Sequence, residues 1–174
     1  AEAEAAIGII PLNCVEPIRA AADAKLYDHT RLAAEVARTG NPTIPVVQHL
    51  TRRVAETAPD AAHYVHWGAT SQDILDTALV LQLRDTVSRV LGDTHRAALA
   101  AAELARRHAR TPQAGRTWLQ QATPVTFGLK AAGWGDALER VRRQSHAALD
   151  EAAVLQFGGA TGTLASLGSH GAAV

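Results

Sequence analysis

Polar side chains crowd a loop at residues 64–77, which has the sequence YVHWGATSQDILDT. Thr70 and Ser71 stand where this loop passes into a helical pattern. A helix N-terminus presents unpaired backbone N–H groups and a partial positive charge, so the loop is a candidate site for a carboxylate or phosphate. The alternative is ordinary capping, in which Thr70 or Ser71 satisfies the helix end and Asp73 completes a capping box.

A second polar cluster, GRTWLQQATP, occupies residues 115–124 between two helical patterns. Loops held by rigid elements often carry function. Arg116 could pair with an anionic ligand in bidentate fashion, and Trp118 could wall an apolar pocket and donate its indole N–H. The alternative is an ordinary interhelical link with Trp118 in the core.

Three weaker signals remain. The Gly-rich stretch GGATGT at 158–163 could cradle an anion, but it matches no nucleotide-binding pattern and favours a flexible turn. Lys130 could bind a ligand, although a lysine among apolar neighbours usually extends to solvent. His63 and His66 lack further metal ligands at suitable spacing, so we predict no metal site. His66 lies in the first loop, two residues before Gly68, and is the histidine that we single out for a functional role.

Composition narrows the class of protein. Seventeen Lys and Arg balance seventeen Asp and Glu, which argues against a nucleic-acid partner. The single cysteine, Cys14, excludes an internal disulfide framework and is typical of a small buried hydrophobe in a reducing compartment. We find no apolar run long enough for a membrane span and no signal-peptide pattern, and therefore expect a cytoplasmic protein.

Helical signals dominate the chain. Asp28 and Gly40 predict the N-cap and C-cap of one helix, and Pro17 lies in the first turn of a shorter one. From about Ser71 to Ala109 an apolar stripe at steps of three and four predicts a single helix of nearly forty residues. Its members are Leu75, Leu79, Leu83, Val87, Val90 and Leu91. Helices of this length are typical of bundles and oligomer cores.

A second long helix follows the GRTWLQQATP link. Thr123 is its predicted N-cap, and Pro124 its predicted first residue. The chain has no Met, and it opens and closes within regular patterns, as a fragment of a longer protein would.

Three motifs together resemble the fumarase/aspartase superfamily of helical lyases. They are VHWGATSQDILDTALVLQLRD, GRTWLQQATPVTFGLKAAGW and QFGGATGTLASLG, in that order. The resemblance implies an all-α, long-helix bundle fold. It further implies an N-terminal domain over 1–69 that lacks its first helix, and the first part of a central bundle domain over 70–174. The family forms homotetramers whose active sites gather segments from three subunits.

Two positions indicate which branch of the superfamily is closest. Where adenylosuccinate lyases carry a histidine this chain has Asn41, and where they and the fumarases carry Thr-His it has Thr117-Trp118. The loss of both histidines argues against a lyase that uses imidazole as its general acid. It favours the cycloisomerase branch, although another superfamily lyase or a non-catalytic helical oligomerisation protein stays open.

The resemblance also implies a reaction. In the cycloisomerases a carboxylate of a small tricarboxylate adds across a conjugated double bond, without cofactor or metal, so the site needs cationic and hydrogen-bonding groups. The candidate substrate-binding residues are His66, Thr70, Ser71, Gln72, Arg116, Thr117, Trp118, Gln121 and Lys130. The serine loop usually assigned to proton transfer would lie beyond residue 174, so no catalytic residue is assigned.

Overall fold

The computed structural model describes residues 1–174 and is built mainly from α-helices. Seven helices are α1 (Glu2–Ala6), α2 (Val15–Ala21), α3 (His29–Thr39), α4 (Thr43–Thr57), α5 (Pro59–Ala62), α6 (Ser71–Arg107) and α7 (Phe127–Ala152). Strands β1 (Pro112–Thr117) and β2 (Gln120–Thr126) form one antiparallel hairpin. Short 3-10 segments occupy Leu12–Cys14, Ala24–Leu26 and Ala165–Ala173. The predicted all-α class is confirmed, with the hairpin as its one sheet.

The chain divides into two compact units. The N-terminal unit comprises Ala1–Ala78 with Leu155–Val174, and the hairpin unit comprises Leu79–Val154. Helix α6 begins in the first and ends in the second. The predicted domain boundary near residue 69 stays a prediction.

The core of the N-terminal unit is small and apolar. Cys14, Ala21, Val54 and Ala61 are buried together, and Val54 is fully inaccessible to solvent. Cys14 is therefore the buried small hydrophobe that the sequence predicts. None of the helices combines the length and the apolar character that crossing a bilayer demands.

Predicted helix ends are confirmed on α3. The Asp28 carboxylate accepts hydrogen bonds from the backbone N–H groups of Thr30 and Arg31, which caps the first turn. Gly40 closes the helix in the left-handed conformation, with φ of 67°.

In the hairpin unit, α7 begins close to the end of α6. A Cβ built on Gly128 would lie 2.6 Å from the Ala105 carbonyl oxygen and 2.7 Å from the His108 carbonyl oxygen. Glycine at 128 thus permits the close approach of the two backbone segments. This approach brings the Gly128 N–H to 3.0 Å from the His108 carbonyl oxygen, to which it donates a hydrogen bond.

We expect Gly128→Ala to lower the free energy of unfolding by about 2–3 kcal/mol, because the new methyl group meets backbone that cannot yield easily. Gly133→Ala is the matched control in the same helix, since nothing lies within 4 Å of its Cβ position. It should raise stability by up to about 1 kcal/mol through helix propensity. Urea unfolding of both variants measures the change in the free energy of unfolding. An equal change in the two variants would contradict the backbone contact at Gly128.

The hairpin corrects the predicted start of the second long helix. Thr123 and Pro124 lie in β2, and the helix begins three residues later, with the Thr126 hydroxyl accepting from the Leu129 N–H at 3.1 Å. The register shifts between Gln113 and Gly115, which leaves an extra residue in β2. Proline suits such a bulge because it has no N–H to contribute to the ladder.

Candidate active site

At the mouth of α6, Asp73 forms one half of the predicted capping box, the bond from the N3 carboxylate back to the Thr70 N–H. The buried Asp73 carboxylate accepts a hydrogen bond from the Thr70 N–H at 2.9 Å. The same carboxylate accepts from the Gly158 N–H at 2.9 Å and from the Gly159 N–H at 3.0 Å. Asp73 therefore clamps the Gly-rich segment onto the first loop.

The hydrogen bonds to Asp73 determine the role of the Gly-rich segment. The amides of Gly158 and Gly159 hold an anion, as such loops can, but the anion is a side chain of the protein itself. Burial alone would raise the pKa of Asp73, yet the three N–H donors outweigh it and hold that pKa below its ordinary value of 3.8. Asp73 is consequently a charged structural group at neutral pH.

A second connection joins the same segments one helical turn further along α6. The Thr77 hydroxyl lies 3.3 Å from the Gln156 carbonyl oxygen and 3.1 Å from the Gln156 nitrogen. The N–H of Gln156 donates to this oxygen. The Gly-rich segment is thus held along the first two turns of the helix.

The segment GNPTIP, residues 40–45, also reaches the mouth of α6. Asn41 accepts the Thr43 N–H through its side-chain oxygen at 2.9 Å, and the buried Thr43 hydroxyl donates to the Ser71 carbonyl at 3.3 Å. Sequence reasoning identified Asn41 as a departure from the histidine lyases but missed Thr43. A signal for Thr43 was present in the sequence. It is a polar residue directly after Asn41-Pro42, at a position that no periodic apolar pattern explains.

His66 stands in the loop in a left-handed conformation, with φ of 61°. Its ring is half-buried, and this burial lowers its pKa while the charge of Asp73 partly opposes the change. The imidazole is therefore largely neutral at pH 7, able to donate or accept a hydrogen bond rather than to act as a cation. Among the other predicted residues here, Ser71 is half-buried, and Gln72 is exposed with its amide bonded to Asp76.

In the hairpin unit, two predicted cations line the same cavity. Arg116 on β1 and Lys130 on α7 line one cavity of about 350 Å³. The other lining residues are Gln113, Ala114, Gly115, Ala122, Thr123 and Val125. No carboxylate lines the cavity, and neither cation has an ion-pair partner within its unit. The cavity therefore carries two positive charges and suits a small anion.

Trp118 occupies the tip of the hairpin together with Leu119. Both have positive φ, 47° and 63°, as the two central residues of a type I′ turn require. This conformation strains residues that have a Cβ, by roughly 1 kcal/mol or more each. The Trp118 side chain is 93% exposed, so the alternative of a core tryptophan is wrong. Thr117 and Gln121 flank this tip on the two strands and are exposed.

The predicted site residues thus form two groups. His66, Thr70, Ser71 and Gln72 belong to the N-terminal unit, and Arg116, Thr117, Trp118, Gln121 and Lys130 belong to the hairpin unit. No cluster of three or more His, Cys, Asp or Glu side chains has an arrangement suited to a metal ion.

Comparison with known proteins identifies the family. A family model described as Lyase matches residues 1–173. The chain belongs to this lyase family. The structural neighbours of the chain confirm the helical fold that is expected of the fumarase/aspartase superfamily.

Within this family, the chain is similar to relatives whose activity is named. The chain is 52% identical to the 3-carboxy-cis,cis-muconate cycloisomerase of Pseudomonas aeruginosa over 98% of its own length and 37% of the relative's. It is 45% identical to the nitrosuccinate lyase of Streptomyces davaonensis, over 97% of this chain and 35% of that one. The crystal structure of the 3-carboxy-cis,cis-muconate lactonizing enzyme from Pseudomonas putida matches with a TM-score of 0.91 and 47% identity, over 99% of this chain and 39% of that one. The chain thus spans less than half the length of these relatives.

Proposed function

We propose that this chain is part of a cycloisomerase that converts 3-carboxy-cis,cis-muconate to 4-carboxymuconolactone. The observation that carries the proposal is the cavity with two cations and no carboxylate, in a chain 52% identical to a named cycloisomerase. A substrate with three carboxylates matches such a cavity in charge.

Each group of residues has a part in this proposal. Arg116 and Lys130 hold substrate carboxylates by charge-assisted hydrogen bonds and offset the negative charge that builds up as the ring closes. At the mouth of α6, Thr70, Ser71 and neutral His66 supply hydrogen bonds, and Asp73 maintains the loop that presents them. Trp118, Thr117 and Gln121 contact substrate from the hairpin tip. No cofactor or metal takes part in this chemistry.

The proposed assembly is a homotetramer whose sites are shared between subunits. Large apolar side chains support it, because several lie exposed on α6 and α7. They include Leu79, Leu83, Val90, Leu99 and Val141. Leu83, Val90 and Val141 line one apolar groove, and exposed apolar surface of this kind marks protein interfaces. The strained tip with Trp118 and Leu119 would then contact a neighbouring subunit. The proposed setting is the cytoplasm, with no nucleic-acid partner.

One alternative has an observation in its favour. The similarity to nitrosuccinate lyase fits an enzyme that eliminates a group from a substituted succinate. Adenylosuccinate lyase is a weaker alternative, because Asn41 and Trp118 stand at the two positions where adenylosuccinate lyases carry histidines.

The decisive experiment is a turnover assay on the gene product at its natural length. We expect the diene absorbance of 3-carboxy-cis,cis-muconate to fall as the lactone forms, with nitrosuccinate and adenylosuccinate unreacted. Cleavage of either succinate without loss of the diene would replace the proposal with a lyase.

The 174-residue chain should show no turnover when purified alone. The resemblance places the serine loop for proton transfer outside it, and the chain spans only 37% of the length of its cycloisomerase relative. Activity in a preparation whose mass matches 174 residues would contradict this expectation.

A further inference from the structure

Three residues along α7 form a row on one face of the helix. Phe127, Lys130 and Trp134 recur at steps of three and four, which brings their side chains together. The Lys130 ammonium nitrogen lies 5.7 Å from the centre of the Trp134 ring. Phe127 meets Trp134 edge to face, with ring centres 6.0 Å apart. The cation thus lies within the distance at which an indole face attracts it.

The row is anchored at its start. Phe127 packs edge to face on His108, with ring centres 5.2 Å apart, and its backbone N–H donates to the Thr111 carbonyl at 2.9 Å. The His108 ring nitrogen in turn lies 3.2 Å from the Thr111 hydroxyl. Trp134 therefore rests on an aromatic framework attached to the backbone just after α6.

Lys130 needs such a support for its proposed role. Its four-carbon chain is flexible, and Lys130 lies on the exposed surface of its unit. Nevertheless it lines the cavity with Arg116, and no carboxylate of its unit forms an ion pair with it. Trp134 does not line this cavity, so it can act there only through its neighbour.

We propose that Trp134 is a positioning residue that holds the Lys130 ammonium at the cavity, where this cation meets a carboxylate of the substrate. The inference rests on the proposed function, because it assigns Lys130 to that site. It accounts for a large, 46% exposed tryptophan on the face of α7 that carries the lysine.

The kinetic test compares Trp134→Leu and Trp134→Phe, each with Lys130 present and with Lys130→Met, in the protein at its natural length. Trp134→Leu should raise KM for 3-carboxy-cis,cis-muconate about two- to fivefold with little change in kcat, as expected for a lost cation–π contact at an exposed site. Trp134→Phe should restore part of the loss. With Lys130→Met, Trp134→Leu should have no further effect. An equal rise in KM in both backgrounds would show a merely structural role.

A second series covers the case in which Trp134→Leu fails to fold. Tryptophans with one, two and three fluorine atoms, placed at position 134, weaken the π face while nearly keeping its shape. KM should rise stepwise along this series, and should stay level when Lys130 is methionine. A level series with Lys130 present would overturn the proposal.

A measurement without substrate separates this inference from the proposed function. Reductive ¹³C-methylation labels lysine ammonium groups, and the Lys130 signal is identified by its loss in Lys130→Met. We expect the ring current of Trp134 to shift this signal, so that Trp134→Phe moves it. An unmoved signal refutes the positioning even in an active enzyme. A moved signal in a protein that does not turn over carboxymuconate refutes the proposed function alone.

Discussion

Replacing Asp73 by alanine should cost about 4 kcal/mol of folding free energy, because three backbone N–H groups lose their acceptor at once. The N–H groups of Thr70, Gly158 and Gly159 converge on one carboxylate that is only 2% exposed. Without it, the first loop and the Gly-rich segment lose their connection. Urea unfolding measures the loss. Asp73→Asn keeps the shape and one acceptor oxygen, and should cost roughly half as much.

Asp76→Ala is the matched control, since Asp76 lies on the same turn of α6 and bonds only the exposed Gln72 amide. It should change stability by less than about 0.5 kcal/mol. If Asp76→Ala were as damaging as Asp73→Ala, the cost would come from helix α6 in general and not from the clamp.

The clamp also predicts a pH dependence. The pKa of Asp73 is lower in the folded chain than its ordinary value of 3.8, so its ionisation stabilises the fold above that value. This contribution is lost as the pH falls through the lower, folded-state pKa. The stability difference between the unsubstituted chain and Asp73→Asn should therefore be constant near neutral pH and shrink in strong acid. A difference that grows in acid would have the wrong sign.

Replacing Arg116 by alanine should lower kcat/KM for 3-carboxy-cis,cis-muconate about 100-fold in the protein at its natural length. Charge-assisted hydrogen bonds to a carboxylate contribute roughly 1.5–3 kcal/mol, and here they would serve both the bound substrate and the charge that develops during ring closure. Arg116→Lys should recover only part of the activity, because a single ammonium cannot pair with both carboxylate oxygens. Steady-state kinetics of the two variants measure this.

Arg110→Ala provides the control for Arg116. Arg110 is an exposed arginine just before β1, and it does not line the cavity. Its removal changes the net charge by the same amount and should leave kcat/KM within about twofold. Equal losses for both arginines would point to long-range charge attraction of the substrate and would remove Arg116 from the site.

Periodic and capping signals were sufficient for most of the helical framework. The apolar stripe through Leu75, Leu83 and Val90 predicted α6 as one helix, because a continuous 3.6-residue pattern without proline has few other solutions. Asp28 and Gly40 predicted the ends of α3 because caps depend on the few residues around them.

The region from 112 to 126 shows where local signals failed. Thr123-Pro124 is a sound helix start by itself, yet it lies in β2 because pairing with β1 satisfies the backbone there. The tip residues Trp118 and Leu119 gave no turn signal, since hairpin turns of this type normally use Asn and Gly. Only the paired strands, which hold both residues at positive φ, determine this conformation.

For the candidate site, the sequence by itself determined the residue types, the family resemblance and the hydrogen bond between Thr70 and Asp73, since these residues are three apart at the start of α6. Tertiary structure alone decided that Asp73 occupies the amides of the Gly-rich segment, which lies more than eighty residues away along the chain. It alone decided that Arg116 and Lys130 share a cavity. Hydrogen-bond donors and charges act over a few ångströms, and the separation of two residues in space is set by the packing of the elements that carry them.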